Sequence, residues 1–217
     1  MKDDLRLRDD ILDELNFEPS VDASNIAVTA KDGVVTLRGH VTNYAQKLAA
    51  ERAAWRVAGV KAIAQDIEVR LPGDKKLSDE DIAKRALDIL DWDVLVPSDR
   101  LHVKVATGWI TLTGEVPWNY QRVAAETAVR KLSGITGVSN NIMVEPHVQA
   151  GDVRKNIVDA LKRHAEVEAD RIKVEIHANG VVAIDGRVDD WEERQAVERA
   201  AWSAPGVRTV ENRVRIA

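Results

Sequence analysis

The feature that most constrains this chain is a seven-residue pattern that occurs three times. Gly33-Val34-Val35-Thr36-Leu37-Arg38-Gly39 recurs as Gly108-Trp109-Ile110-Thr111-Leu112-Thr113-Gly114, 75 residues later, and as Gly180-Val181-Val182-Ala183-Ile184-Asp185-Gly186, a further 72 on. The same offsets carry Gly59-Val60 onto Gly134-Ile135 and Gly206-Val207. They also carry Ile63, Ile67 and Val69 onto Val138, Ile142 and Val144, and then onto Val210, Val214 and Ile216. Register held over such a span means one supersecondary unit repeated, here a module of about 70 residues. The copies are expected at residues 1–71, 78–146 and 150–217, joined by Pro- and Gly-containing stretches at Leu71–Lys76 and Glu145–Gly151.

Within each copy the periodicities read as helix, strand, strand, helix, strand. Amphipathic helices are expected over Leu5–Asn16, Glu80–Asp91 and Asp152–Arg163. The second has Ser78 as N-cap and three acidic residues in its first turn. Alternating strands follow at Ile26-Val28-Ala30, Leu101-Val103-Val105 and Ile172-Val174-Ile176. Tight hairpin turns are expected at Lys31-Asp32-Gly33, Thr107-Gly108 and Ala178-Asn179-Gly180. A longer Ala-rich helix then starts at Asn43, Asn119 or Trp191 and stops before the next glycine. A crossover of that length makes the closing strand parallel to its hairpin partner, with a right-handed connection. The fold class is α+β: three tandem αββαβ modules, each a three-stranded mixed sheet with two helices on one face.

The αββαβ order, the G-x-V-x-L-x-G strand, the Ala-rich helix and the closing strand with its leading glycine together resemble the BON domain, named for bacterial OsmY and nodulation proteins. The resemblance covers nearly the whole chain. It implies a stress-related bacterial protein without known catalytic activity. For periplasmic members it implies envelope integrity, phospholipid binding and chaperone-like behaviour. For a cytoplasmic relative that joins one such module to a LysM module, it implies potassium sensing.

Composition narrows the function classes. Hydrophobic residues make up 45% and charged residues 31%, so the chain is globular. The net charge is −5, and basic residues do not outnumber acidic ones in any of the three modules, so nucleic acid is not an expected partner. Without Cys there is no disulfide or thiolate chemistry. Met1–Asp10 is charged throughout, with no apolar signal core, and no apolar run could span a bilayer, so a cytoplasmic location is expected.

No catalytic constellation emerges. His40, His102, His147, His164 and His177 lack paired metal-ligand spacing, so no metal or cofactor is expected. His102 belongs on the open face of its sheet. Gly33 and Gly39 bracket a strand and read as turn glycines; no Lys-Ser/Thr follows, as a phosphate loop requires. Carboxylate pairs such as Asp9-Asp10, Asp189-Asp190 and Glu192-Glu193 fall at helix starts or solvated faces.

Tryptophan carries the most information, because six of the nine aromatic residues are Trp. On the long helices Ala49, Ala53 and Val57 mark the core face, so Trp55 and its counterpart Trp202 are expected to point away from it and to pack on another module or a partner. Trp109 shares an uncovered sheet face with the positions of Val34 and Val181. Trp118, in Val116-Pro117-Trp118-Asn119, is the best candidate for an exposed contact. Trp92, the counterpart of Phe17, reads as a plug at the core edge. Arg213 and Arg215 alternate with core-facing Val214 and Ile216 and so share the open face of the last sheet.

The functional expectation is a non-catalytic, stress-associated binding or scaffold protein acting through protein contacts or self-association. One alternative is peripheral binding to anionic phospholipid membranes, through Arg213 and Arg215 with Arg208 nearby. The other is sensing of a small ligand or an ion such as potassium, for which no residues are specific.

Overall fold

A computed structural model describes residues 4–73, 76–145, 153–163, 171–177, 180–204 and 207–216. The first module runs α1 (Asp4–Phe17), β1 (Ile26–Lys31), β2 (Val34–Val41), α2 (Tyr44–Arg56), β3 (Ala62–Val69). The second runs α3 (Asp79–Trp92), β4 (Leu101–Ala106), β5 (Trp109–Val116), α4 (Asn119–Val129), β6 (Gly137–Val144). The third runs α5 (Val153–Arg163), β7 (Ile172–His177), β8 (Val181–Val188), α6 (Trp191–Trp202), with a closing strand in two pieces, β9 (Thr209–Asn212) and β10 (Arg215–Ile216). In the first module β1 is antiparallel to β2 and β3 is parallel to it, giving the order β1-β2-β3. The second sheet has the order β4-β5-β6, and in the third β7, β9 and β10 all pair with β8. The fold is α+β, with a mixed sheet in each module. The chain forms two compact units, Met1–Ile89 with Val103–Thr111 and Thr127–Ser139, and Leu90–His102 with Leu112–Glu126 and Asn140–Ala217.

The first module explains why one face of the sheet is covered. Leu7, Ile11 and Leu15 recur at four-residue spacing and are buried, as are alternate residues of the central strand, Val35 and Leu37. They join one core with Ala50, Ala53 and Ala54 of α2, whose small side chains let that helix lie close to the sheet. Each fully buried Leu or Ile contributes roughly 1.5–3 kcal/mol. The matching positions Ile110, Leu112, Ala125 and Val129 of the second module and Val182, Ile184, Val197 and Ala201 of the third are buried too.

A device repeated in all three copies links the second helix to the closing strand. The side-chain amides of Gln65, Asn140 and Asn212 donate to the carboxylates of Glu51, Glu126 and Glu198, at 2.8, 3.0 and 3.0 Å. The hairpin tips are held as well. Asp32 and Gly33, like Thr107 and Gly108, both have positive φ, as a two-residue type I′ turn demands. Thr107 is β-branched and poorly suited to φ 55°. Asp79 offsets this by accepting the amides of Thr107 and Gly108, each at 2.8 Å, as Asp4 accepts that of Asp32 at 2.9 Å. The third turn's Ala178-Asn179 lies outside the described residues.

Several expectations require correction. Gly39 is not a turn residue. It lies inside β2 at φ 140°, where a Cβ would stand 1.9 Å from the carbonyl oxygen of Asn25. Gly114 and Gly186 repeat this against Arg100 and Arg171. The Ala-rich helices are not uniformly the longer ones: α2 has 13 residues against 14 in α1, and α4 has 11 against 14 in α3. Phe17 and Trp92 do not plug the core. They are 83% and 88% exposed, because each follows the last buried Leu of its helix by two residues, about 200° around the axis. The third closing strand breaks at Arg213-Val214, where the Arg194 guanidinium takes the carbonyls of Asn212 and Val214. There Ile216 is 40% exposed, so its expected core placement does not hold, while Val214 is buried. No helix among the described residues is long and apolar enough to cross a membrane.

Arg56 ties the two helices of the first module by donating to Glu14 and Glu18, both at 2.8 Å. The Ser20 hydroxyl, at 2.7 Å, and then Arg56 hold the Glu18 carboxyl down from 4.5 to about 2. A depressed carboxylate pKa contributes stability that is full above pH 4.5 and is lost as the pH falls through about 2. A carboxyl-carbon NMR titration should therefore place the Glu18 midpoint near 2, and Ser20→Ala should raise it; a midpoint at 4.5 in the unaltered chain would contradict this. Gly39→Ala should destabilise the first module by about 3 kcal/mol or more, seen as a lower urea midpoint by circular dichroism. Gly73→Ala, which meets nothing within 4 Å, should leave that midpoint unchanged.

Candidate functional site

The second helices of the three modules should begin alike, and one does not. Asn43 caps α2 by accepting the amide of Gln46 at 2.9 Å, and Asp190 caps α6 by accepting that of Glu193 at 2.8 Å. Gln46 and Glu193 in turn accept from the backbone amides of Thr42 and Asp189, the residues just before the caps. In the second module the N-cap position of α4 is Trp118, whose side chain can accept nothing. The preceding residue is Pro117, which has no N–H, and the matching Gln121 accepts instead from the Trp118 amide, at 3.0 Å. Losing an N-cap acceptor costs about 0.5–2 kcal/mol. Helix chemistry gives no reason for an indole there.

Its surroundings do. Trp118 just before α4 and Tyr120 and Val123 on it line an open cavity of about 680 Å³ together with Trp191, Trp202 and Ser203. All belong to the second compact unit. Four of the chain's nine aromatic residues thus meet at one place.

The polar groups in the wall are arranged around the indoles. The Arg122 guanidinium lies 4.6 Å from the centre of the Trp202 ring, and that of Arg194 lies 5.0 Å from that of Trp191. Such contacts contribute about 0.5–2 kcal/mol, more as water is excluded. Arg122 is half-buried, and desolvation pushes its pKa down while the carboxylates of Glu126 and Glu198 push it up. Those carboxylates are the ones held by Asn140 and Asn212, and Asn140 also donates to the Arg122 carbonyl at 2.9 Å. Arg199 and Gln195 stand exposed at the rim. The side-chain oxygen of Asn119 is buried in the wall with no hydrogen-bond donor among the described residues.

The candidates drawn from sequence distribute unevenly. Trp118 and Trp202 meet in the cavity. Trp202 and Trp55 do not point clear of their helices: both are half-buried against the cores of their own modules. The reason is that the buried stripe includes Ala54 and Ala201, the residues directly before each Trp, so the broad ring folds back over its edge. Trp109 lies 44% exposed across its own closing strand, its indole N–H donating to Ser139 at 2.9 Å. Its ring fits because residue 137 is glycine; a Cβ there would stand 2.3 Å from the indole. Val34 is exposed, while Val181 lines a separate depression with Met143 and Arg208. Arg213 pairs with Glu211 at 2.5 Å, and with Arg215, Arg187 and Asp185 it borders a shallow depression.

His102 and His177 are exposed and His40 is half-buried, whereas His147 and His164 lie outside the described residues. Among the described residues no three side chains cluster as metal ligands. Sequence reasoning passed over Trp191, Tyr120 and Glu198. The usable signal was at the caps, where Asn43 and Asp190 correspond to Trp118, and Tyr44 and Asn119 correspond to Trp191.

Comparison with known proteins places these features. The model of the BON domain family matches residues 3–70, 78–146 and 149–217. Osmotically-inducible protein Y of Escherichia coli is 29% identical over 132 residues, covering 57% of this chain and 63% of that protein, so the match spans less than two thirds of the relative. Two solved structures of CdsD, a structural protein of the type III secretion system of Chlamydia trachomatis, are 17% identical with a TM-score of 0.27. The matches cover 100% of both chains in one case, and 98% of this chain and 92% of the other in the second. That likeness is too slight to bear on fold or function.

If the indole at the cap is there for the cavity, restoring an acceptor should favour the helix. Trp118→Asn should be about 1 kcal/mol more stable than Trp118→Ala in urea denaturation. Equal stability of the two variants would show that the position does not act as a cap.

Proposed function

The chain belongs to the BON domain family through all three of its modules, and on that premise we propose that it is a non-catalytic binding protein of the osmotic-stress response. Its binding surface is the aromatic cavity between α4 and α6. The observation that carries this reading is the convergence of Trp118, Tyr120, Trp191 and Trp202 in a chain so poor in aromatics. Trp, Tyr and Arg are the side chains that supply most binding energy per residue. A cavity of about 680 Å³ lined by apolar surface with a few polar groups has the dimensions of a small-ligand site. The link to osmotic stress rests on the name of the Escherichia coli relative.

The chemistry of the wall supports binding over catalysis. Ser203 donates its hydroxyl to the Arg199 carbonyl at 2.8 Å, and among the described residues no side-chain base accepts from it. Glu198 accepts from the Asn212 side-chain amide and has the Arg122 guanidinium near it, so its carboxylate is engaged in holding the wall. A lipid surface is less well supported, because Asp185 and Glu211 offset the cluster of Arg187, Arg213 and Arg215.

The test is the full chain labelled with 5-fluorotryptophan, its six fluorine resonances assigned by single Trp→Phe variants. Titration with a diverse small-molecule collection should shift the resonances of Trp118, Trp191 and Trp202 together, while light scattering reports an unchanged mass. The reading fails if no compound moves those three. It also fails if the mass is that of an oligomer which Trp118→Ala dissociates, since the cavity would then be a self-association surface.

A further inference from the structure

The same two helix ends meet at two places in the chain. In the first compact unit, Asn43, Tyr44 and Ala45 at the start of α2 line a cavity of about 310 Å³ with Arg130 and Lys131, which follow α4. In the second, Trp118, Asn119 and Tyr120 at the start of α4 line the aromatic cavity with Trp202 and Ser203 at the end of α6. The repeat offsets carry one set of five residues onto the other, position by position. The start of the second helix of one module thus meets the end of the second helix of the next, twice over. Both junctions combine aromatic rings with arginine: Tyr44 shares its cavity with Arg130, and Arg122 lies 4.6 Å from the centre of the Trp202 ring.

A junction between two unlike patches differs from a self-complementary one, because a series of such junctions leaves one patch of each kind over. In α4 both ends are engaged, so one helix can serve two junctions at once. Among the three modules, the end of α2 and the start of α6 are the two ends that the series leaves over. Repeat arrays ordinarily close with polar outer faces. These two ends instead carry Trp55 and Trp191, each half-buried. Their rims are of opposite sign. Arg52, exposed one turn before Arg56, is the counterpart of Arg199, which lines the junction in the second unit. Asp190 and Glu192 flank Trp191 and are exposed, and Glu192 is the counterpart of Ala45 and Tyr120, which line the two junctions.

We propose that the start of α6 in one copy docks on the end of α2 in a second copy of this chain, repeating between copies the junction that joins consecutive modules within each. The occupant is a second copy because the surface that meets such a helix end, in both junctions, is the start of another second helix, and the chain supplies one. Trp55 and Trp191 are the anchors, and Arg52 with Asp190 and Glu192 set the direction.

The experiment is sedimentation of the full chain from about 10 µM to about 1 mM. The mass should rise with concentration and pass that of two copies. Arg52→Glu and Glu192→Lys should each weaken association about tenfold or more, with circular dichroism that stays that of the parent. The two substitutions combined in one chain should restore it. Trp118→Ala, at a junction inside the copy, should leave association unchanged.

A single copy at about 1 mM overturns the proposal, and so does a mass that stops at two, the mark of a self-complementary patch. Association that ignores both charge reversals, or a double variant that stays dissociated, overturns it as well. None of these outcomes touches the small-ligand reading of the aromatic cavity, whereas dissociation by Trp118→Ala would sink both.

Discussion

Each module depends on one close approach between two stretches of backbone. The strand that enters the hairpin closes its carbonyl onto the glycine of the central strand: Asn25 onto Gly39, Arg100 onto Gly114, Arg171 onto Gly186. No side chain fits in that space, and the positive φ at each glycine excludes one on conformational grounds as well. The contact fixes where the first strand meets the second. Because side chains alternate across a strand, that register decides which face is apolar. The first helix then has a defined surface for Leu7, Ile11 and Leu15, and the second helix settles beside it.

On this common frame the copies diverge in ways that local stability does not ask for. The carboxylate–amide link from helix to closing strand is present three times, so it belongs to the frame. A side-chain acceptor caps the second helix in the first and third modules and is missing in the second, where Trp118 takes its place. Trp109 occurs only where its neighbour across the sheet is Gly137; the other copies have Val34 with Ala62 and Val181 with Thr209. These are departures from a repeat whose rules the other two copies still state. Trp118 is the one that opens onto a cavity.

Most of the frame was legible in the sequence because its causes are local. Three glycines per copy and the alternation of Val, Ile and Leu specify turns, strands and register from residue to residue. What escaped depended on distances that sequence spacing does not encode. Helical angles placed the Trp55 backbone away from the core, but an indole is long enough to fold back over Ala54. Phe17 and Trp92 look like core residues by type, yet their helices run half a turn past the last buried Leu. Trp191 was hidden by its equivalence to Tyr44, which is buried in its own module, whereas Trp191 lines the cavity. The Glu51–Gln65 pair could have been read, since the same 14-residue spacing recurs at Glu126–Asn140 and Glu198–Asn212.

The construction of the cavity wall bears on the conditions it can tolerate. Exposed ion pairs such as Arg38–Asp66 and Arg213–Glu211 sit in water and weaken as ionic strength rises, with screening complete within a few ångströms at about 1 M salt. The Arg122–Trp202 stack is partly desolvated, and its charge is balanced by carboxylates that neutral amides hold in place. Burial and neutral hydrogen bonds respond little to salt, so the indole wall keeps its geometry while surface pairs loosen.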